Sequence, residues 1–343
     1  MKYYIWTIGC QYNEWDGARI RFALDELGLI ETSSDDADVI IILACAVRQT
    51  AVNRIYGKIN TWKNKKVVIS GCVLKQDKRN LEDQGAVVIG WDKMEKIAPY
   101  LNIKNQEKFK DLLNKGNTAS AYIPITTGCN NFCSYCIVPY TRGRELSRPI
   151  NEIIFEAKKI LSHYHTSKYR SGKPEIILLG QNVNSYQFGF AKLLKKLNDL
   201  PGDFEISFIS NHPKDMTEEL IDAMAKLPKV KKEIHLPLQS GSDKVLKDMN
   251  RPYTVTKYLQ LVESLKFKIE NLKISTDIIV GFPTETEEDF QKTVKVCEKV
   301  DYSLAYINKY SPRKGTAAYK LGDPISWREK QRRWRVLEDL INN

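Results

Sequence analysis

The first part of the chain alternates short, wholly apolar runs with segments of helical periodicity. Strands that are apolar on both faces are typical of a parallel sheet covered by helices on both sides. The pattern therefore predicts an N-terminal parallel α/β sandwich. Strands are predicted at residues 3–8, 38–43, 66–69 and 86–89, and helices at residues 13–29 and 49–62.

The second part repeats the strand-then-helix pattern six times, which predicts a partial (βα)6 barrel with its chemistry at the carboxyl edge of the strands. A polar, Gly-containing stretch at residues 102–120 precedes it and indicates a boundary between domains 1–118 and 119–343. The barrel strands are predicted at residues 121–126, 175–179, 205–209, 233–238, 274–280 and 304–309. Helices are predicted at residues 151–162, 218–226, 254–266 and 286–300.

Three cysteines each follow a predicted strand of the first part, namely Cys10, Cys45 and Cys72. The carboxyl ends of parallel strands share one edge of a sheet, and α/β folds bind ligands there. A single cysteine at such a position is most simply a buried packing residue. Three at equivalent positions favour a shared metal site.

A second set of cysteines lies in one loop after the first predicted barrel strand: Cys129, Cys133 and Cys136. Thiolates at this spacing suit zinc or an iron–sulfur cluster. Zinc would need a fourth ligand, and the next 20 residues contain neither Cys nor His. A four-iron cluster held by three thiolates leaves one iron open to a substrate or cofactor.

Composition narrows the class of protein. The seven cysteines are an odd number, which argues against a disulfide framework. The chain has no run of 18 apolar residues and no signal-peptide pattern, so we expect a cytoplasmic protein without a membrane span.

The net charge of +11 favours an anionic partner, most simply a nucleic acid. Between Lys309 and Arg335, nine Lys and Arg face two acidic residues, so this stretch carries about +7 of the charge. A solvated helix face would explain it, but contact with a polyanion is the favoured interpretation.

Several segments of the sequence resemble the radical S-adenosylmethionine (SAM) methylthiotransferases. They are similar in particular to the tRNA 2-methylthioadenosine synthases of the MiaB type, over nearly the whole chain. The segments are Gly9-Cys10-Gln11-Tyr12-Asn13, Ala44-Cys45-Ala46-Val47-Arg48, Gly71-Cys72, the Cys129–Cys136 loop continuing through Arg142-Gly143-Arg144-Glu145 to Ser147-Arg148-Pro149, residues 179–186 (LGQNVNSY), residues 235–243 (HLPLQSGSD) and residues 277–283 (DIIVGFP).

The resemblance implies two [4Fe–4S] clusters and two SAM molecules. Cys129, Cys133 and Cys136 would be the catalytic set, holding the cluster whose open iron binds SAM. Cys10, Cys45 and Cys72 would hold an auxiliary cluster through which sulfur is delivered. In the family, SAM cleavage yields a radical that takes hydrogen from carbon 2 of isopentenyladenosine next to the anticodon, and a second SAM supplies the methyl group.

Residues at other motif positions have two interpretations each. Tyr135 would lie against the SAM adenine or simply pack as an aromatic. Four polar residues would either contact SAM or the substrate or simply cap strand ends: Gln181, Ser210, Gln239 and Asp277. Three arginines would either contact a phosphate or form surface salt bridges: Arg142, Arg144 and Arg148. His212 is interpreted as structural, and Cys297 as a packing residue.

The resemblance also implies partners: a tRNA anticodon stem-loop, an electron donor such as flavodoxin or ferredoxin, and a sulfur donor, with the enzyme a monomer. Family members usually carry a small all-β RNA-binding (TRAM) domain after the barrel. The sequence ends at Asn343, about where that domain would begin, so we expect the chain to lack it.

Two alternatives remain. The first is a related methylthiotransferase that acts on threonylcarbamoyl-adenosine in tRNA or on an aspartate of a ribosomal protein, although the Gln181-Asn182-Val183-Asn184 motif favours isopentenyladenosine. The second is a non-catalytic iron–sulfur or zinc protein that binds RNA.

Overall fold

The structure, a computed structural model, describes residues 1–114, 121–164 and 173–343. The predicted domain boundary at residue 118 lies outside these ranges. The described chain divides into two compact units. The first contains the described residues of Met1–Ile123, Ile137–Gly143 and Glu156–Arg170, and the second those of Pro124–Cys136, Arg144–Phe155 and Ser171–Asn343.

The first unit is built on a five-stranded parallel sheet with the strand order β2-β1-β3-β4-β5. Its elements are β1 (Lys2–Thr7), α1 (Gln11–Asp25), β2 (Ile30–Glu31), β3 (Val39–Ala44), α2 (Gln49–Ile59), β4 (Lys66–Gly71), α3 (Lys75–Glu82), β5 (Val87–Val88), α4 (Ile97–Tyr100) and α5 (Gln106–Asn114). The four predicted strands are all present. Only the two-residue edge strand β2 was not predicted, because so short a segment has no periodicity to detect.

Strand β3 explains why its sequence is apolar throughout. Alternate residues of β3 enter the two apolar clusters on opposite faces of the sheet, as Ile41 and Ile42 do. One cluster includes residues of α1 and α5, and the other residues of α2 and α3. Burial of each such side chain is worth about 1.5–3 kcal/mol. The unit is therefore the α/β sandwich that the pattern predicts.

The second part of the chain supplies the barrel strands and their helices. Its elements are β6 (Tyr122–Pro124), β7 (Thr126–Thr127), α6 (Val138–Thr141, which belongs to the first unit), β8 (Leu146–Ser147), α7 (Ile150–Tyr164), β9 (Glu175–Leu179), α8 (Phe190–Asn198), β10 (Glu205–Phe208), α9 (Glu218–Lys226), β11 (Glu233–His235), α10 (Asp243–Asp248), α11 (Val255–Lys268), β12 (Lys273–Val280), α12 (Glu287–Val300), β13 (Leu304–Lys309) and α13 (Trp327–Ile341).

The six barrel strands lie in the order of the sequence. Two three-stranded sheets have the orders β10-β9-β6 and β11-β12-β13. Residues just before β11 continue the first sheet, because the Ile206 N–H donates to Lys229 O (2.7 Å) and the Lys231 N–H donates to Ile206 O (2.9 Å). The partial barrel is therefore confirmed. The two-stranded antiparallel ladder of β7 and β8 beside it was not predicted.

Strand β12 shows how the barrel presents side chains. Thr276, Ile278 and Val280 are buried, whereas Ser275 and Asp277 on the other face are only half-buried. Because successive side chains of a strand point to opposite faces, Ser275 and Asp277 are accessible from the second face.

Among the described residues, no helix has both the length and the apolar character that a membrane span requires.

Candidate functional site

The cysteines of the first unit follow three strands that are neighbours in the sheet. Cys10 comes three residues after the end of β1, while Cys45 and Cys72 directly follow β3 and β4. The ends are tied together, since the Cys72 N–H donates to Ala44 O (2.9 Å) and the Ile8 N–H to Leu43 O (2.9 Å). The structure thus brings the three predicted ligands to one edge of one sheet.

Two glycines make the close approach of these strand ends possible. Gly9 has a φ of +118°, and a Cβ on it would lie 2.6 Å from Cys45 Cβ and 3.0 Å from Cys45 Sγ. Gly71 has a φ of +89°, and a Cβ there would lie 2.7 Å from Ala44 O. Both the space and the backbone conformation exclude a side chain at either position. Steric crowding therefore explains why a glycine precedes Cys10 and Cys72 in the sequence.

Asn13 joins two of the strand ends and is almost completely buried. Its Nδ2 donates to Ile8 O and to Ala44 O, both at 2.8 Å. Its Oδ1 accepts a hydrogen bond from Arg142 Nη2 (3.0 Å). The side chain of Asn13 therefore links the backbone around the cysteines to a buried arginine.

Arg142 contacts the cysteine set directly. Its Nε donates to Cys72 Sγ across 3.2 Å, and its guanidinium lies 4.1 Å from the ring centroid of Tyr12. Asp16 Oδ2 lies 3.5 Å from Arg142 Nη2. The residue is only 3% exposed, so neither a phosphate contact nor a surface salt bridge describes it, and both predicted roles are wrong. The partners of this arginine are 70 and 129 residues away in the sequence, so the local pattern does not predict its burial.

The charge at this edge of the sheet depends on the protonation of the cysteine thiols and on Arg142, which stays protonated. Burial raises the pKa of the Cys45 thiol to about 11, and desolvation also raises that of the Cys10 thiol, although Cys10 as a whole residue is exposed at the sheet edge. Burial opposes the charge of Arg142, but the neighbouring Cys72 and Asp16 outweigh it and hold the arginine's pKa above its ordinary value. Its Nη1 is buried and has no hydrogen-bond partner among the described residues.

The two kinds of metal site that the sequence leaves open, zinc and an iron–sulfur cluster, require different arrangements of these cysteines. Within the described ranges, no three His, Cys, Asp or Glu side chains form a group that could together hold one single metal ion. A single zinc would draw each Sγ to about 2.3 Å from one centre. A four-iron cluster takes one thiolate per iron, so its ligands stay further apart. Three thiols beside a buried cation with a spare N–H donor fit such an anionic cluster.

The cysteines of the second unit lie in the loop after β7. The loop starts at Gly128, whose φ is +79° and whose N–H donates to Gln181 Oε1 (2.6 Å). A tight turn follows, in which the Cys136 N–H donates to Cys133 O (2.9 Å). Cys129 is buried, and burial raises the pKa of its thiol. The side chain of Gln181 therefore orients the cysteine loop, whatever else it contacts.

The middle of this loop is held from the segment after α10. Asn250 Nδ2 donates to Phe132 O (3.0 Å), and Phe132 has a left-handed φ of +48°. The Ser134 N–H donates to Met249 O (2.9 Å), while Ser134 Oγ donates to Asp248 O (2.7 Å). These bonds fix a conformation that a non-glycine residue adopts only at some cost.

Arg251 is a functional candidate that the sequence did not reveal. Its Nη1 lies 3.4 Å from Cys133 Sγ and donates to it, and its Nε donates to the Tyr253 hydroxyl (3.0 Å). The residue is 7% exposed, and although burial opposes its charge, neighbouring Tyr135, Tyr253 and Cys133 raise its pKa. No motif signalled this contact, because Arg251 and Cys133 are 118 residues apart.

The residues predicted to contact SAM have different surroundings in the second unit. The ring of Tyr135 packs against an apolar cluster that includes Met249, Phe282 and Tyr310. Asp277 lies inside β12 rather than at its end, and its Oδ2 is 3.0 Å from His235 Nε2. The sequence alone does not predict a role for His235. Its hydrogen bond with Asp277 on the half-buried face makes it a candidate site residue.

Ser210 and Gln239 lie just beyond β10 and β11, with positive φ angles of +70° and +67°. For non-glycine residues such backbone costs about 1–3 kcal/mol and is concentrated at functional sites. Gln239 is held by bonds to β12, where its N–H donates to Asp277 O (2.8 Å) and its carbonyl accepts from the Ile279 N–H (3.0 Å). The strain supports the prediction that this edge binds a ligand.

Two further residues that the sequence singles out, His212 and Cys297, are both buried. His212 Nδ1 accepts a hydrogen bond from the Lys214 N–H (3.2 Å), and burial lowers the pKa of His212 to about 2. The imidazole is therefore neutral, and a structural role stays a prediction. Cys297 is buried on α12 and burial raises its pKa to about 12, which is consistent with a packing residue, and this role also stays a prediction.

The basic stretch from Lys309 to Arg335 is partly neutralised within the second unit. Arg333 Nη1 lies 2.6 Å from Glu285 Oε2, Arg332 pairs with Glu329 (2.6 Å), and Lys330 pairs with Asp323. The cations of the stretch that are exposed are Lys314, Lys320, Arg328, Arg332 and Arg335. A contact with a polyanion therefore has fewer free charges than the sequence suggests and stays a prediction.

Comparison with solved structures supports the fold. The chain aligns with a radical SAM methyltransferase, TsrM from Kitasatospora setae with cobalamin and a [4Fe–4S] cluster bound, at a TM-score of 0.63 and 13% identity. This alignment covers 93% of this chain and 77% of that one. A cobalamin-dependent radical SAM enzyme, OxsB, aligns at a TM-score of 0.59 and 11% identity, covering 93% of this chain and 55% of that one.

The family models match both parts of the chain. The radical SAM superfamily model covers residues 123–297, and the model described as uncharacterized protein family UPF0004 covers residues 2–90. The partial barrel and its three-cysteine loop thus define a radical SAM enzyme, a class that uses a [4Fe–4S] cluster and SAM.

Curated relatives narrow the class further. A tRNA-2-methylthio-N(6)-dimethylallyladenosine synthase of Caldicellulosiruptor saccharolyticus is 41% identical over 383 residues, an alignment covering 99% of this chain and 77% of that protein. One of Clostridium botulinum is 39% identical over 375 residues, covering 99% and 81%. The chain belongs to the family of radical SAM tRNA methylthiotransferases.

Proposed function

We propose that this enzyme inserts a methylthio group at carbon 2 of isopentenyladenosine next to the anticodon of tRNA, using two [4Fe–4S] clusters and two SAM molecules. The names of its relatives support the substrate, since each is a tRNA-2-methylthio-N(6)-dimethylallyladenosine synthase. An auxiliary-cluster domain of residues 1–118 and a radical SAM domain of residues 119–343 are part of the proposal.

The observation that carries the proposal is the existence of two separate cysteine sets, one in each unit. Radical SAM chemistry alone needs only Cys129, Cys133 and Cys136. The placement of Cys10, Cys45 and Cys72 at one sheet edge, with the spare N–H of Arg142 beside them, supports a second cluster. Sulfur insertion requires a sulfur source in addition to a radical, and an auxiliary cluster provides a place for it.

The clusters supply electron transfer, SAM cleavage and sulfur delivery when they are bound, while the chain holds and orients the reactants. Gln181 and Asn250 fix the Cys129–Cys136 loop through its backbone. Asp277 and His235 present a hydrogen-bonded polar pair on the half-buried face of the barrel, where they would orient SAM or the adenosine. Ser210 and Gln239 are proposed to contact the same ligands from the strand ends.

The partners follow from this chemistry. The substrate is a tRNA anticodon stem-loop, and a one-electron donor such as flavodoxin or ferredoxin and a sulfur donor complete the reaction. We propose that the enzyme acts as a monomer. Apart from the paired Arg332, the exposed cations of the 309–335 stretch would contact RNA phosphates: Lys314, Lys320, Arg328 and Arg335.

Complementation tests the reaction and the substrate together. The chain is expressed in a bacterium that lacks its own adenosine methylthiotransferase, and its tRNA is digested and analysed by mass spectrometry. We expect methylthio-isopentenyladenosine. A methylthio group on threonylcarbamoyl-adenosine instead, or on an aspartate found by mass spectrometry of the digested ribosomal proteins of the same cells, would replace the proposed substrate by the related one.

Cysteine variants separate the two sets. Cys133→Ala should abolish SAM cleavage, whereas Cys10→Ala should retain SAM cleavage and abolish methylthiolation. Cys297→Ala is the matched control, because this thiol is buried on α12 and belongs to neither set, so its loss should change neither reaction. Methylthiolation that survives Cys10→Ala would disprove the auxiliary cluster.

A further inference from the structure

Arg142 is a buried cation that donates a hydrogen bond to a sulfur of the first cysteine set. Its Nε donates to Cys72 Sγ (3.2 Å) and its Nη2 to Asn13 Oδ1 (3.0 Å), whereas its Nη1 is buried without a partner among the described residues. A buried N–H donor left unpaired costs about 1–3 kcal/mol. Beside the Cys72 sulfur, such a donor suits a hydrogen bond to an anionic group held by the cysteines.

The geometry points to Arg142 as the positioning residue of the auxiliary cluster: its Nε holds the Cys72 ligand, its Nη1 donates to the cluster, and its charge raises the cluster's reduction potential. This inference rests on the proposed function, because it requires a cluster on Cys10, Cys45 and Cys72.

The charge of Arg142 is available for this role because Asp16 has another partner. Asp16 Oδ1 lies 2.7 Å from Arg19 Nη2, a closer pair than the 3.5 Å between Asp16 Oδ2 and Arg142 Nη2. Asp16 is therefore already neutralised by an arginine that does not reach the cysteines. Arg142 keeps a net positive field on their side.

The sign of the effect follows from electrostatics. Reduction adds one negative charge to the cluster, and a fixed cation in a weakly screened interior stabilises the more negative state. A hydrogen bond to a ligand sulfur acts in the same direction. Removing the guanidinium should therefore lower the potential, and a second contribution, weaker retention of the cluster, should lower the iron content.

The test isolates the auxiliary cluster within the full chain. Cys129, Cys133 and Cys136 are replaced by Ala, and this background protein is reconstituted anaerobically with iron and sulfide. Iron content, the electron paramagnetic resonance spectrum of the reduced form and a potentiometric titration are then measured. The same measurements follow with Arg142→Gln and Arg142→Lys.

We expect a midpoint potential shifted to more negative values in Arg142→Gln, with altered resonance positions. In Arg142→Lys the shift should be smaller, because the charge remains while the directed N–H donors are absent. Arg19→Gln is the matched control: it removes a cation that also pairs with Asp16 but touches no cysteine, so the potential should not move.

Each adverse outcome has a distinct meaning. A background protein that binds no cluster with Arg142 intact would overturn the auxiliary cluster and this inference with it. A bound cluster whose potential and spectrum are the same in Arg142→Gln would overturn only the role of Arg142. If Arg142→Gln binds no cluster, the midpoint potential is measured in Arg142→Lys instead. A potential lower than that of the background protein supports the role of Arg142, and an unchanged potential refutes it.

Discussion

Arg251 Nη1 lies 3.4 Å from Cys133 Sγ, so a buried guanidinium donates a hydrogen bond to one cysteine of the SAM-cleaving set. In the first unit, Arg142 has the same relationship to Cys72 at 3.2 Å. In the described part of the chain, each set of three cysteines thus includes a sulfur that accepts a hydrogen bond from a buried arginine. Because burial alone would raise the pKa of cysteine thiols, a nearby fixed cation favours the thiolate that iron requires.

Replacement of Arg251 should impair SAM cleavage. Residues that support metal ligands typically contribute 10–100-fold to affinity or activity, so Arg251→Gln should lower the yield of 5′-deoxyadenosine about 10–100-fold in an anaerobic assay with dithionite. Arg251→Lys, which keeps the charge, should give a yield between those of the unsubstituted enzyme and Arg251→Gln.

Tyr253→Phe is the control for Arg251. It removes the hydroxyl that accepts from Arg251 Nε but leaves the sulfur contact intact, so cleavage should change little. Full iron content and a normal rate in Arg251→Gln would show that the contact with Cys133 has no functional weight.

Gly9→Ala should disturb the first cysteine site more than backbone strain alone explains. Its Cβ would lie 2.6 Å from Cys45 Cβ, and overpacking of this kind costs about 1–3 kcal/mol. Gly28→Ala is matched for positive φ, at +80°, but has no atom within 4 Å of its Cβ. The urea midpoint of the apo protein should fall further in Gly9→Ala, and only Gly9→Ala should lose iron from the Cys129/133/136→Ala background.

Equal decreases in stability in the two alanine variants would indicate that the conformation of Gly9, and not its closeness to Cys45, is what matters. Retention of iron in Gly9→Ala would likewise contradict the steric account of the Gly-Cys pair.

The parts of the structure that the sequence predicts are those set by local pattern. The apolar run of β3 identifies a strand buried on both faces, and the helix predicted at residues 218–226 has the bounds of α9. The strand-end position of the three N-terminal cysteines follows from the same pattern, because parallel strands place equivalent ends at one edge.

What the sequence could not predict depends on contacts between distant residues. Arg142 and Asn13 are 129 residues apart, and nothing in the local sequence shows that a loop arginine is buried beside a thiol. The pairing of His235 with Asp277 likewise depends on the register of β11 against β12. Side-chain partners are set by tertiary packing, which periodicity does not encode.

The thiol of Cys45 should react slowly at neutral pH and faster as the pH rises. Burial disfavours the thiolate and raises the pKa to about 11, so below that value the thiolate fraction grows about tenfold per pH unit. Alkylation of the apo protein by iodoacetamide, followed residue by residue with mass spectrometry from about pH 7.5 to about pH 9.5, should show this slope at Cys45.

Cys297, with a pKa raised to about 12, serves as the reference for a buried thiol outside both sets. Loading with iron and sulfide should protect Cys45 and leave the rate at Cys297 unchanged, because ligand thiolates are consumed by metal. A fast, pH-independent reaction at Cys45 would show that its thiol is not shielded.

Exposed cations of the C-terminal stretch should contribute to tRNA affinity, whereas its buried cations should contribute to stability. Arg328 and Arg335 are exposed, so the double variant Arg328→Gln/Arg335→Gln should weaken tRNA binding and reduce the salt dependence of log K by about 0.7–0.9 for each phosphate that is no longer neutralised. Lys196→Gln, an exposed cation on α8, is the control and should leave the slope as it is.

Arg333 distinguishes the two kinds of charge within the same helix. Its Nη1 lies 2.6 Å from Glu285 Oε2, and breaking such a buried pair by removing one partner costs about 3–5 kcal/mol. Arg333→Gln should therefore lower the melting temperature while the salt slope of the folded protein stays constant. If instead the slope falls in Arg333→Gln and not in the Arg328/Arg335 variant, the RNA-binding surface does not include the exposed face of α13.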